Sequence, residues 1–132
     1  MKLTTEQERA ITYPCENVQL IACAGSGKTE VVARLIVHLL KADGGGLKPS
    51  NIIAFTFTEK AAGELKERIT ERCKEEFGEL TGLAEMFVGT IHAYCLELIK
   101  TEVQKYLKFE VLNDVQQYLF IDRHSKQSGL TT

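Results

Sequence analysis

The stretch that most constrains this chain runs from Val18 to Lys41, VQLIACAGSGKTEVVARLIVHLLK. A short apolar run (Val18, Leu20, Ile21) leads into a turn of small residues, ACAGSGKT, from Ala22 to Thr29. A segment with apolar residues at helical spacing follows. Strand, tight turn and helix in that order call for an α/β architecture, with the turn at the carboxyl end of a strand.

The turn fits the phosphate-loop pattern in its relaxed form. Ala22 stands where the usual first Gly does, and Gly27, Lys28 and Thr29 close the motif. A triphosphate carries dense negative charge, so the chain must wrap it with backbone N–H donors. Small residues at Ala22, Cys23, Ala24, Gly25, Ser26 and Gly27 let the backbone approach closely, and Gly tolerates positive φ. The helix opens at about Ser26–Lys28 and points its positive end at the phosphates. Lys28 is placed to bridge the β- and γ-phosphates and Thr29 to bind Mg²⁺. The bland alternative is a Gly-rich β-to-α turn without a ligand. Against it, the match sits between a strand-like and a helix-like run, where the phosphate mechanism requires it. Cys23 puts a thiol where Gly is more usual, which makes the loop alkylation-sensitive.

At 132 residues the chain is one domain at most. Its 44% hydrophobic and 26% charged content are those of an ordinary soluble domain. No apolar run approaches the roughly 18 residues needed to cross a membrane. The start, MKLTTEQERAI, lacks the apolar core of a signal peptide, so a cytoplasmic setting is expected. The cysteines at 15, 23, 73 and 95 form no C-x-x-C pair and are expected to be reduced and mostly buried. His38, His92 and His124 are too scattered for a metal site. The net charge of −2 means that nucleic-acid binding must come from a local surface.

In chain order, Thr5 and Glu8 have the form of a capping box for a short helix through about Ile11, ended at Tyr13-Pro14. A strand at 18–21 precedes the phosphate loop. The next helix is expected to bury Val32, Leu35, Ile36, Leu39 and Leu40, and Ala42 to Gly46 stop it. Ile52-Ile53-Ala54-Phe55 is apolar enough for a strand covered on both faces. Thr58 caps a helix from Glu59 to about Phe77 that buries Ala62, Leu65, Ile69, Cys73 and Phe77. Its outer face is laced by Lys60–Glu64, Glu64–Arg68 and Arg72–Glu76 pairs. Met86-Phe87-Val88 is a third strand. Gly89-Thr90 turns into a helix with Ile91, Cys95, Leu98, Ile99 and Val103 on one stripe. Asn113 caps a last helix from Asp114 to about Arg123, and Ser125 to Thr132 form a polar tail. The β–loop–α unit recurs three times, which predicts a mainly parallel sheet with flanking helices. The turns at 22–29, 56–58 and 89–92 then share its ligand-binding end.

Four blocks together resemble the start of a superfamily-one DNA helicase of the UvrD/Rep/PcrA kind. LTTEQERAI, Leu3 to Ile11, resembles the Q motif, and ACAGSGKT resembles motif I. IIAFTFTEKAAGELKERI, Ile52 to Ile69, resembles motif Ia, and VGTIHAYCLELI, Val88 to Ile99, resembles the GT-x-H block, motif Ib. The resemblance covers about residues 3–100 and, more weakly, 109–123. It implies an incomplete P-loop NTPase (RecA-like) fold over 1–108 and the start of an inserted helical subdomain or tail over 109–132. It implies ATP and Mg²⁺ as cofactors and single-stranded DNA as partner. Gln7 would read adenine, since its amide donates and accepts at once. Lys28 and Thr29 would be the catalytic phosphate and Mg²⁺ residues. Thr56, Phe57, Thr58, Thr90 and His92 would touch DNA. For Phe57 the alternative is a strand-end core aromatic, and for His92 a capping or packing role.

Two features depart from that pattern. Glu30 follows the GKT where many of these helicases have a basic residue. No apolar run followed by Asp-Glu supplies motif II, and no arginine-finger motif or second motor domain follows. The chain therefore reads as an amino-terminal fragment with weak or no hydrolysis and no unwinding of its own. An unpaired sheet edge would let it pair or swap with itself, and a clean monomer at high concentration by sedimentation would count against that. Competing readings are a helicase–nuclease subunit of the AddA/RecB sort, a non-catalytic nucleotide-binding module and a small-molecule kinase. TFTEKAA and GTIHAYC argue against the kinase.

Overall fold

The computed structural model describes residues 3–13, 17–41, 46–78 and 81–129. It is α/β, with helices α1 (Thr5–Thr12), α2 (Lys28–Leu40), α3 (Glu59–Phe77), α4 (Ile91–Glu102) and α5 (Asp114–Ser128). Strands β1 (Ile53–Thr56) and β2 (Phe87–Thr90) pair in parallel, Ile53 opposite Phe87 and Thr56 opposite Thr90. This is compatible with an incomplete RecA-like domain. The chain divides into two compact units, residues 1–95 and 96–132.

The first unit is built on the α2, α3 and β1–β2 contacts. Ala33, Ile36 and Val37 of α2 and Leu65, Ile69 and Cys73 of α3 close over Ala54 and Val88 of the sheet. The Thr58 hydroxyl caps α3 by accepting from the Ala61 N–H at 3.1 Å, as its sequence predicts. Ala62, Leu65, Ile69 and Cys73 are buried and Phe77 half-buried. Burial pushes the Cys73 thiol pKa up.

Several expectations are corrected. The cap of α1 is Thr4, not Thr5: its hydroxyl accepts from the Gln7 N–H at 3.3 Å, and Gln7 Oε1 accepts from the Thr4 N–H at 2.9 Å. Adjacent threonines and adjacent Gln7 and Glu8 allowed either register. Residues 18–21 form no strand. They pair with neither β1 nor β2, and Ile21 is 88% exposed. A strand needs a ladder partner, which this run lacks among the described residues. On α2 the buried stripe is Glu30, Val31, Ala33, Ile36 and Val37, whereas Val32 is exposed and Leu35, Leu39 and Leu40 are half-buried. The helix is rotated because a charged residue, Glu30, belongs to its inner face.

β1 is not covered on both faces: Ile53 and Phe55 are exposed. On that face Phe55, Phe87 and Tyr94 pack edge-to-face, with ring centroids 4.8 to 6.2 Å apart. Gly89 makes room for this cluster, since a Cβ there would lie 2.9 Å from the Phe87 ring. Of the cysteines, Cys73 is buried but Cys23 and Cys95 are exposed, so the thiols are not mostly buried. Cys15 and Ala42 to Gly45 lie outside the described residues.

In the second unit the stripe expected on α4 is not buried: Leu98, Ile99 and Val103 are exposed. Asn113 caps α5 in a box with Gln116, as expected, and the helix runs on to Ser128 before Gly129 ends it. Among the described residues no helix is long and apolar enough to cross a membrane.

Candidate functional site

The loop between Ala22 and Lys28 folds around its own lysine. Lys28 Nζ donates to the carbonyls of Ala22 at 3.0 Å and Cys23 at 2.6 Å. The Ser26 hydroxyl also donates to the Cys23 carbonyl, at 2.7 Å. Gly25 and Gly27 take φ of 75° and 85°, the left-handed region that other residues avoid. Gly27 is the N-cap of α2 and brings no side-chain oxygen to its first turn. The N–H groups at Lys28 and Thr29 therefore head the helix with no capping side chain, as an anion site requires. Thr29 is exposed beside Lys28.

Gln7 reaches this loop from α1. Its Nε2 donates to the Ser26 carbonyl at 2.9 Å while its Oε1 serves the α1 cap. An amide oxygen has two lone pairs and an amide nitrogen two protons, so each end retains capacity for a further partner. A shallow cavity of about 220 Å³ is lined by Gln7, Leu20, Ile21, Ser26, Lys28 and Val31. Larger clefts lie elsewhere. One of about 280 Å³ lies among α1, α2 and α3, and one of about 320 Å³ lies between α3 and β2.

The carboxyl ends of β1 and β2 lie side by side, because Thr56 is in register with Thr90. Gly89 and Thr90, expected as a turn, are the end of β2, and α4 follows directly at Ile91. Phe57 is 99% exposed, which rules out a core-aromatic role. The Thr56 hydroxyl donates to the Thr58 carbonyl at 3.0 Å, and the Thr90 hydroxyl donates to Glu59 Oε1 at 2.9 Å. His92 is exposed on the first turn of α4.

A family model described as the UvrD/REP helicase N-terminal domain matches residues 3–131. The chain belongs to this family. Rep-type ATP-dependent DNA helicases of Buchnera aphidicola are similar to this UvrD/REP chain. The relative from subspecies Schizaphis graminum is 38% identical over 109 residues, 83% of this chain and 15% of the relative. The one from subspecies Baizongia pistaciae is 35% identical over 130 residues, 98% of this chain and 18% of the relative. An ATP-dependent helicase/nuclease subunit from Thermoanaerobacter sp. (strain X514) is 35% identical over 109 residues, 75% of this chain and 9% of the relative. The chain thus spans less than a fifth of the length of these relatives.

Two features of this UvrD/REP domain escaped sequence reasoning. Glu30, next to Thr29, is only 4% exposed. Its Oε1 accepts from Arg34 Nε at 2.6 Å and from Arg72 Nε at 2.9 Å, and Arg68 lies 4.0 Å from Oε2. Burial pushes the Glu30 carboxyl upward, but hydrogen bonds from Arg34 and Arg72, with their charges, outweigh it and hold the group below the ordinary carboxylate value. Arg72 also pairs with Glu75, and Glu76 pairs with Lys41, so the expected Arg72–Glu76 pair is not the one formed. The charged face of α3 thus anchors the start of α2 through Arg68 and Arg72. The second feature is the Glu59–Thr90 hydrogen bond. The EKAA block contains Glu59, but nothing local to it announces a partner 31 residues away.

Proposed function

We propose that this chain is the ATP-binding and single-stranded-DNA-contacting amino-terminal part of an ATP-dependent 3′-to-5′ DNA helicase of the cytoplasm, acting in repair, replication or recombination. The observation that carries this reading is Lys28 and Thr29 at the uncapped start of α2, with Gln7 bonded to the same loop. Lys28 exchanges its two carbonyl partners for β- and γ-phosphate oxygens, and the N–H groups of the first turn take the rest of the charge. Thr29 would hold Mg²⁺, which, when bound, neutralises charge on the phosphates. An exposed hydroxyl at the helix start beside the lysine fits that role. Gln7 reads adenine through the second valence of its amide. The strand-end turns meet DNA through Thr56, Thr58, Thr90 and His92, with Phe57 as a stacking surface.

Residues 109–132 then begin an inserted helical subdomain. Without motif II nothing in these residues completes the Mg²⁺ site or orients water, so the chain alone neither hydrolyses ATP appreciably nor unwinds DNA. Its β2 edge, beside the cleft lined by Lys66, Ile69, Met86 and Val88, is where a second copy would pair. Sedimentation showing only monomer at high concentration removes that part of the reading.

The test is equilibrium binding of a fluorescent ATP analogue with Mg²⁺. Lys28→Ala should weaken binding roughly 10- to 100-fold, the worth of a charge-assisted phosphate contact. Gln7→Ala should erase the preference for adenine over guanine nucleotides. A folded wild type that binds no nucleotide contradicts the reading. The similarity to the Thermoanaerobacter helicase/nuclease protein favours a second reading, in which the chain is a piece of a helicase–nuclease enzyme. A nuclease domain downstream in the same open reading frame would decide for it.

A further inference from the structure

The hydroxyls at the ends of β1 and β2 are both committed, to acceptors of different charge. A threonine hydroxyl carries one proton. Thr56 commits its proton to the Thr58 carbonyl, and Thr90 commits its proton to Glu59 Oε1 while accepting from the Ala93 N–H at 3.2 Å. As it stands, Thr90 cannot donate to a phosphate. What holds it is itself an anionic oxygen, at 2.9 Å, on the first residue of α3, where the positive helix end favours negative charge.

We infer that Glu59 is an intramolecular stand-in for a DNA phosphate, and that binding hands the Thr90 hydroxyl from the Glu59 carboxylate to a phosphate oxygen. This rests on the reading of these turns as DNA-contacting. Both acceptors are anionic oxygens and use the same proton, so they compete for it. Glu59 is exposed, so its released carboxylate swings into water and leaves no unpaired buried charge. The handover makes Glu59 a determinant of DNA affinity that also keeps the Thr90 rotamer set in the DNA-free state.

The experiment is a double-mutant cycle read by fluorescence anisotropy, with a labelled oligothymidylate of about 16 nucleotides. Glu59→Ala and Glu59→Gln should each tighten binding, by roughly three- to tenfold for Ala. In a Thr90→Val background that gain should vanish, and with Thr90→Ser, which retains the hydroxyl, it should persist. Simple charge repulsion predicts instead an equal gain in the Thr90→Val background, and that result overturns the handover. Weaker binding by folded Glu59→Ala overturns it as well, since Glu59 would then only support the turn. Wild-type binding with no gain in any Glu59 variant leaves the DNA reading standing and removes this one. If neither the wild type nor any variant binds while circular dichroism shows a folded chain, both fail.

Discussion

The two faces of the β1–β2 sheet carry similar residues and meet different fates. On one face Ala54 and Val88 disappear under α2 and α3, in a core that includes Ala33, which is wholly buried. On the other, Ile53 and Phe55 stay about half exposed, and Phe55 packs edge-to-face with the Phe87 and Tyr94 rings. The run at 18–21 goes the same way, with Val18, Leu20 and Ile21 exposed. The difference lies in how each element satisfies its backbone. A helix closes its hydrogen bonds within itself and needs only one apolar stripe covered, whereas a parallel strand needs neighbours at its edges and layers on both faces. Among the described residues the helices are therefore complete in their own hydrogen bonds, while the sheet holds two strands.

The largest test of this contrast is mutational. Leu65→Ala, in the buried core of α3, should cost about 2–5 kcal/mol, a large fraction of the roughly 5–15 kcal/mol that holds a native domain folded. Ile21→Ala should cost no more than about 0.5 kcal/mol, because the side chain is already in water. Denaturant unfolding followed by circular dichroism would measure both, and equal losses would end the comparison.

A smaller effect is expected at Glu30. Glu30→Ala removes the carboxylate that joins α2 to α3 and should cost about 1–3 kcal/mol, since Arg34 and Arg72 are partly exposed and can turn to water. Its pH dependence has a definite sign. The folded-state pKa lies below the ordinary value of 4.5, so the stabilisation is complete above that value and is lost as pH falls through the folded one. Wild type should lose more stability than Glu30→Gln on acidification through that window. Parallel curves would show that the network contributes nothing.

The elements that could be foreseen are those written in local sequence. Thr58 and Asn113 each cap a helix three residues before their N–H partner, and Gly27-Lys28-Thr29 fixes where α2 begins. What could not be foreseen depends on distant partners. Glu30 reads as a surface residue by polarity, yet its partner Arg72 is 42 residues away. The apolar Val18, Leu20 and Ile21 read as a strand, but a strand is a property of a pair, and no described residue pairs with them. The candidate site divides along the same line. The glycine-dependent turn and the helix start at Lys28 were legible, with Gly25 and Gly27 at positive φ, while the engagement of Lys28 with its own loop and of Thr90 with Glu59 was not.

Hydrogen–deuterium exchange with and without Mg²⁺·ATP tests the central claim most directly, since it reports on the sheet and on the loop at once. Amides of β1 and β2 should be protected without nucleotide, and those at 18–21 should exchange almost as fast as an unfolded chain. Nucleotide should add protection at residues 25–29. Protection at 18–21 equal to that of β1, or a phosphate loop unchanged by saturating nucleotide in a folded chain, would contradict this account.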